Sequence, residues 1–271
     1  MIQRIIIFCL IAVSGVLVLT SRAFCQHSLG ARSAASGQTG VAVPGDPWSV
    51  FSNISFIPTD ESYVSFYGFR YAGISEITDA AASATLPLGN GAFGTGVHRY
   101  GFHLFSETRF RAGYKQQWEQ FHAGVVLNYT HVQQGGGYGS AGALGADIGI
   151  GAQIVEPLWL GARATNINQP SFAETDEELP RELAAGISYF PSPATLITAE
   201  VVKDVRFPLS FRAGIDAELI KGLHARAGIS SNPETYSAGF GYKTARWQIN
   251  FAVQQHMVLG LSPALDIGIS L

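Results

Sequence analysis

The chain has 271 residues, a net charge of −3 and 14% charged residues, against roughly 25% in a soluble domain. So small a charge offers nothing to a polyanion, and nucleic acid is excluded as a partner. Both cysteines, Cys9 and Cys25, lie at the extreme N-terminus, which bears on chemistry below.

Residues 1–25 read as a secretory signal peptide. Arg4 supplies the positive start, Ile5 to Leu19 is the apolar run, and Ala23 and Cys25 are small residues where a signal peptidase reads, with cleavage before Gln26. The run is at the short end for a spanning helix, which needs roughly 20 apolar residues. An uncleaved anchor and lipid attachment at Cys25 are the competing readings; the bulky Phe24 argues against the second. After cleavage no cysteine remains. That excludes disulfides, thiolate catalysis and cysteine-ligated metal. No second long apolar run follows, so the other structure a bilayer permits, a closed barrel, is expected.

Residues 26–58 do not alternate. Small residues and Gly or Pro breaks dominate from Gly30 through Pro47-Trp48 to Ile54-Ser55. Such a stretch suits close packing inside a barrel, at or within its periplasmic mouth.

Residues 59–271 repeat one pattern, apolar residues alternating with small or polar ones over about 8 to 12 positions and then a turn, the length a spanning strand needs. Strands are predicted near 62–69, 75–86, 92–100, 106–116, 119–132, 142–154, 158–167, 182–190, 195–202, 208–219, 222–230, 235–243, 245–254 and 263–271. The fold class is therefore all-β, an antiparallel transmembrane β-barrel of about 14 strands with an N-terminal plug or hatch.

Successive side chains point to opposite faces of a strand. Phe110, Ile148, Phe211, Ile215, Phe240 and Phe251 share the lipid-facing phase. Arg109, Arg111, Asp147, Arg212, Asp216, Glu218 and Arg226 share the inner phase, with glycines such as Gly149, Gly214, Gly228 and Gly239. Unpaired buried charge is expensive, so Arg109, Arg111 and Arg212 are expected to neutralise Asp147, Asp216 and Glu218 across the lumen. Connections are expected to be tight at 88–91, 117–118, 155–157, 220–221 and 244. Longer ones are expected at 133–141, 168–181, 203–207 and 255–262, as in barrels with short periplasmic turns and longer external loops. Leu265, Ile267, Ile269 and Leu271 alternate to the end, as a closing strand must.

Catalytic motifs are missing from this pattern. The seven histidines show no H-x-x-x-H or H-E-x-x-H spacing. Gly89-x-Gly91-x-x-Gly94 bridges two predicted strands instead of opening a helix, so it reads as a hairpin turn and not a nucleotide cradle. His122 and His224 fall on the inner phase, away from where a barrel lipase needs a lipid-facing Ser–His pair. An enzyme, a cofactor and a metal site are not expected. The acidic stretch from Glu174 to Glu178 and the run Gly135 to Gly137 read as loop tips.

The segment Gly30, Arg32, Ala34, Gly37, Val41-Ala42, Asp46-Pro47 and Asn53 resembles the N-terminal signature of the PorV/PorQ family of FadL-like outer-membrane barrels. Ile54-Ser55 stands where that signature has Pro-Ala. The match covers about 25 residues, and the barrel pattern extends it less specifically. The resemblance implies a 14-stranded barrel with a hatch built from Gly30, Arg32, Gly37, Asp46, Pro47 and Asn53, with small external loops because the chain is short. It implies a non-enzymatic role in type IX protein secretion or surface attachment of cargo, in the outer membrane of a Gram-negative type bacterium. The partners would be outer-membrane lipid and secretion-system proteins or secreted cargo. FadL-like passive uptake of hydrophobic small molecules is the alternative, and a mainly structural barrel the third reading.

Overall fold

A computed structural model describes residues 28–74, 76–136, 139–172, 177–257 and 260–271. The expected signal peptide lies outside these residues, as does most of the acidic loop tip. The alternating stretches form β1 (Tyr63–Phe69), β2 (Thr78–Leu88), β3 (Gly91–Phe102), β4 (Phe105–Trp118), β5 (Phe121–Gln134), β6 (Gly139–Val155), β7 (Leu158–Thr165), β8 (Glu182–Ser192), β9 (Thr195–Asp204), β10 (Ser210–Ile220), β11 (Leu223–Ser231), β12 (Glu234–Lys243), β13 (Trp247–His256) and β14 (Gly260–Ser270). Each strand pairs antiparallel with its chain neighbours, and β1 pairs with β14, from Tyr63↔Ser270 to Phe69↔Ala264. The sheet thus closes into a 14-stranded barrel. Closure matters because no water satisfies an unpaired strand edge in lipid.

The two faces differ as the alternation requires. Phe211 is 58% exposed while its neighbour Ser210 is 4% exposed. Phe110, Ile148, Ile215, Phe240 and Phe251 are likewise exposed on the outer wall. Trp118, Phe121, Tyr242 and Trp247 form an aromatic girdle at one end of that wall, where such side chains meet the membrane interface.

All turns at that end are short: 89–90, 119–120, 156–157, 193–194, 221–222 and 244–246. Gly89 has φ +60 at the first central position of a two-residue hairpin, the place where this turn type wants glycine. The opposite end carries longer connections at 70–77 and 166–181, yet 103–104 and 232–233 are as tight as any periplasmic-type turn. The loop expected at 255–262 shrinks, because β13 runs on to His256 and β14 starts at Gly260, while the one expected at 203–207 shifts to 205–209, because β9 runs on to Asp204 and β10 starts only at Ser210. Strand pairing above the apolar band satisfies backbone groups that water would otherwise have to reach, so strands outrun their apolar stretch.

Residues 28–58 lie within the short-turn half of the barrel. They form a one-turn helix α1 (Ala31–Ala35) and two 3-10 turns, η1 (Pro47–Val50) and η2 (Ile54–Phe56). Ala31, Ala35, Val50, Ile54, Phe56 and Ile57 are all buried. The room comes from inward-facing glycines. A Cβ on Gly94 or Gly96 would meet Val50 or Phe51, on Gly149 or Gly151 it would meet Asn53 or Phe56, and on Gly161 or Gly186 it would meet Val41. On Gly214 and Gly228 it would strike Ser36 and Gly37, and on Gly239 it would reach Ala35.

Candidate functional site: a vestibule and its floor

The segment is fixed residue by residue. Gly30 has φ +97 and packs its Cα on the Trp48 indole, so neither its conformation nor its contact admits a side chain. Gly37, at φ +69, turns its backbone onto Ala213 and Ile229 of the wall. Asp46 accepts a hydrogen bond from the Trp48 N–H at 2.9 Å and so caps η1, with Pro47 at its first position. Asn53 Oδ1 accepts from the Ser55 N–H at 3.2 Å and from the Ser55 hydroxyl at 2.8 Å. The turn therefore forms with Ile54-Ser55 in place of Pro-Ala, since Ser55 itself supplies two donors. Asn53 Nδ2 donates to the carbonyls of Val41 (2.7 Å) and Ile150 (3.1 Å), tying the segment to β6.

The wall answers with charged groups. Glu200 accepts from the N–H groups of Gly40 (2.9 Å) and Val41 (3.0 Å) and faces Arg212 at 3.5 Å. Arg212 donates to the Gln38 carbonyl at 3.1 Å. Arg163 pairs with Glu182 and donates to the carbonyls of Ser52 (2.7 Å) and Phe51 (3.2 Å). A continuous chain of polar contacts runs from Arg32 to Asp216 (3.2 Å), on to Arg226 (2.8 Å) and Asn250 (2.8 Å), then to Asp266 (2.7 Å). Asp266 accepts from the Ala31 N–H at 2.6 Å, so the chain begins and ends on α1.

This corrects the expected charge pairing. Arg111 does pair with Asp147. Arg109 pairs with Glu107 at 2.7 Å and Arg212 with Glu200, while Glu218 accepts from the Gly222 N–H at 2.7 Å in its own turn. The carboxylates lie along the wall, on the same or nearby strands, and do not span the lumen. The reason is space: the axis is already filled by residues 28–58, so arginines reach sideways to carboxylates and inward to backbone carbonyls.

Above this floor is a cavity of about 890 Å³ toward the long-loop end. Leu29 and Phe51 of the segment form its base. Phe69, Tyr71, Tyr100, Phe105, Phe172 and Phe207 line its sides, with Arg109, Arg111, Arg163 and Arg212 low in the wall. The β7–β8 connection bends into it: Phe172 and Leu179 are buried against Ala143 and Ala141 of β6 and Val132 of β5. Asp147 anchors that bend by accepting from the Asn166 N–H at 2.8 Å and from Asn128 at 2.9 Å. The Asn168 side chain accepts from the Ala146 N–H and donates to the Leu144 carbonyl, both at 2.9 Å. It thereby completes the edge of β6 where β7 has ended.

Sequence reading missed Arg163, Glu182, Glu200, Asp266 and Gln254, whose amide donates to the Ala34 carbonyl at 3.0 Å, as contacts of the segment or its clamps. The signal available was glycine recurring in the inner phase of strand after strand, which marks a wall that something else must fill. Gly228→Val is expected to displace the segment, because the colliding atoms are backbone of Ser36 and Gly37 and cannot rotate away. Overpacking of this kind costs about 1–3 kcal/mol. Gly68→Val, where a Cβ meets nothing within 4 Å, is the control. Thermal unfolding in detergent should separate the two; equal midpoints would show that the inward-facing glycines do not seat the segment.

No protein-family model and no curated protein sequence matches this chain. Solved structures do. The P. putida toluene transporter TodX superposes with a TM-score of 0.68 at 13% identity, over 91% of this chain and 97% of that one. A deltaS2 mutant of the TodX monoaromatic hydrocarbon channel gives 0.67 at 13%, over 91% and 98%. A Pseudomonas aeruginosa FadL homologue gives 0.57 at 11%, over 90% and 97%. At such identities the likeness is one of fold: a FadL-like barrel of the outer-membrane type.

Proposed function

We propose that this chain is an exported, non-enzymatic outer-membrane barrel that admits small hydrophobic molecules passively, with residues 28–58 as the hatch below their binding site. The observation that carries the reading is the cavity of about 890 Å³, walled by six aromatic rings and floored by the segment. Its size falls within the roughly 300–1,000 Å³ of ligand pockets, and its aromatic and aliphatic side chains offer apolar surface beside charged groups such as Asp79, Glu107, Arg109 and Arg111. Burying an apolar solute there gains roughly 25 cal/mol per Å² of surface removed from water, with no chemistry asked of the protein. The names of the fold neighbours, a toluene transporter and a monoaromatic hydrocarbon channel, support this substrate class.

A second reading, a PorV/PorQ-like barrel serving type IX secretion, is favoured by one observation. Gly30, Arg32, Gly37, Asp46, Pro47 and Asn53 all make specific contacts in the segment, as a shared signature would. There the barrel acts through protein contacts at its rim, and the cavity has no solute to hold.

The test is photolabelling with an aromatic diazirine in lipid nanodiscs, read by peptide mass spectrometry. Label should reach peptides holding Tyr100, Phe105 and Phe172, toluene should compete it away while glucose does not, and Val132→Trp should reduce it by filling the cavity. Label confined to lipid-facing residues such as Phe211 and Phe251 would reject the uptake reading.

A further inference from the structure

The outer wall is apolar almost throughout, but it changes character at one level of β3 to β5. Phe110 faces outward and pairs with Val97 on one side and Tyr129 on the other. Two residues higher on the same face, Arg99 pairs with Thr108, and Thr108 with His131. Arg99 is exposed and His131 half-buried, its ring stacked on Tyr129 at 6.4 Å. On β1 the outward phase of Phe66 and Gly68 continues to the exposed Arg70. Its N–H donates to the Pro263 carbonyl at 3.0 Å, which holds the backbone against β14.

Height fixes the surroundings of this row. From Trp118, in the girdle at the short-turn end, to Phe110 is eight residues of β4, which at about 3.4 Å per residue and a tilt near 40° rises roughly 20 Å. The next outward step, at Thr108, therefore falls at the far edge of an apolar band about 25 Å tall. Arg99 and Arg70 thus stand where acyl chains give way to headgroups, at the end opposite Leu271 and the short turns. The hairpin above Arg99 is only His103 and Leu104, so no long loop screens it.

No carboxylate among the described residues pairs with either arginine, whereas Arg206, on the rim at β9–β10, lies 4.0 Å from Asp204. A guanidinium beside hydrocarbon needs a counter-anion, which no described residue supplies to these two. Small residues flank the cations, Gly68 and Ala80 beside Arg99 and Gly142 beside His131, leaving a shallow recess against the wall. Guanidinium matches phosphate in a planar, bidentate fashion.

We infer that Arg70, Arg99, Thr108 and His131 form a binding site for the phosphate groups of a phosphorylated glycolipid of the outer leaflet, seated on the outer wall of β1–β5. This rests on the proposed outer-membrane location and on the long-loop end facing outward; it is independent of what occupies the vestibule. The two arginines are two strands and two residues apart, about 12 Å between backbones by ordinary sheet spacing, so long side chains can hold two phosphates of one lipid.

Refolded full-length protein, shown folded by its heat-modifiable mobility, would be titrated with bisphosphorylated lipid A and followed by native mass spectrometry. Wild type should bind it at least tenfold tighter than the dephosphorylated glycolipid. Arg70→Gln with Arg99→Gln should remove roughly tenfold or more of that affinity, given about 1 kcal/mol per basic residue at an anionic surface. Lys221→Gln with Arg246→Gln at the opposite rim should change nothing. Equal binding of the dephosphorylated lipid, an unchanged affinity in the double variant, or equal displacement by phosphatidylglycerol overturns the site while leaving the barrel reading intact. A chain that inserts into no bilayer overturns both.

Discussion

Glu200→Ala is expected to be among the most damaging single changes in the barrel interior. Glu200 is 5% exposed and does three things at once: it accepts from the Gly40 and Val41 N–H groups and faces Arg212. Its removal leaves a buried guanidinium whose one remaining acceptor among the described residues is the Gln38 carbonyl. Breaking one partner of a buried pair costs about 3–5 kcal/mol, and each stranded backbone N–H adds about 1–3 kcal/mol. Waters entering the gap would recover part of this, so a net loss of about 3 kcal/mol is expected. It should appear as a lowered unfolding midpoint and as protease cleavage within residues 38–45. Glu200→Gln can place its one carbonyl oxygen where Oε2 accepts from both N–H groups, but then turns its amide NH2 toward Arg212, and should fall between. An unaltered midpoint in Glu200→Ala would show that the segment is held by packing alone.

Phe211→Arg against Ser210→Arg tests the other face. The two residues adjoin in β10, but Phe211 is 58% exposed on the outer wall and Ser210 is 4% exposed and lines the cavity. An arginine on the lipid face costs roughly 2–4 kcal/mol at mid-depth and about 0–1 kcal/mol near the interfaces; Phe211 stands nine residues along β10 from Ile220 and the short turn, toward the far edge of the band, so about 1 kcal/mol is expected. At position 210 the same side chain can extend into the vestibule, near Arg212 but also toward water. Folding yield into vesicles should therefore fall measurably for Phe211→Arg and less for Ser210→Arg. Equal yields would mean the strand phase is wrong by one residue, which would turn every side chain of β10 over.

The barrel was legible because lipid imposes a rule with few solutions. An outward residue must be apolar, its neighbours need not be, and pairing must close; alternation over Leu209 to Ala217 or Tyr236 to Tyr242 then allows little else. The strand ends were less legible. Residues such as Asp204, His256 and Leu261 extend their strands through backbone pairing alone, which leaves no mark on composition. The segment's special residues stood out as Gly, Pro, Asp and Asn, each with a turn or cap to serve, and Gly30, Asp46 and Asn53 serve them. What composition could not give was partnership. That Arg212 pairs with Glu200 and not with Asp216 depends on where residues 28–58 lie in three dimensions. The vestibule was illegible for the same reason: Phe69, Tyr100 and Phe172 come from distant stretches, and only barrel closure brings them to one cavity.

The claim most exposed to test is that residues 28–58 close the lumen beneath a vestibule for apolar solutes. Single-channel recording in planar bilayers addresses it directly, comparing the intact mature chain with one lacking residues 28–57. The intact chain should show little steady ion conductance, because backbone and side chains of the segment fill the glycine-lined half of the barrel and arginines reach into it. The deleted chain should conduct, since the carboxylate partners lie along the wall and leave the axis open. A large, steady conductance in the intact chain would contradict the account and make this barrel an open pore.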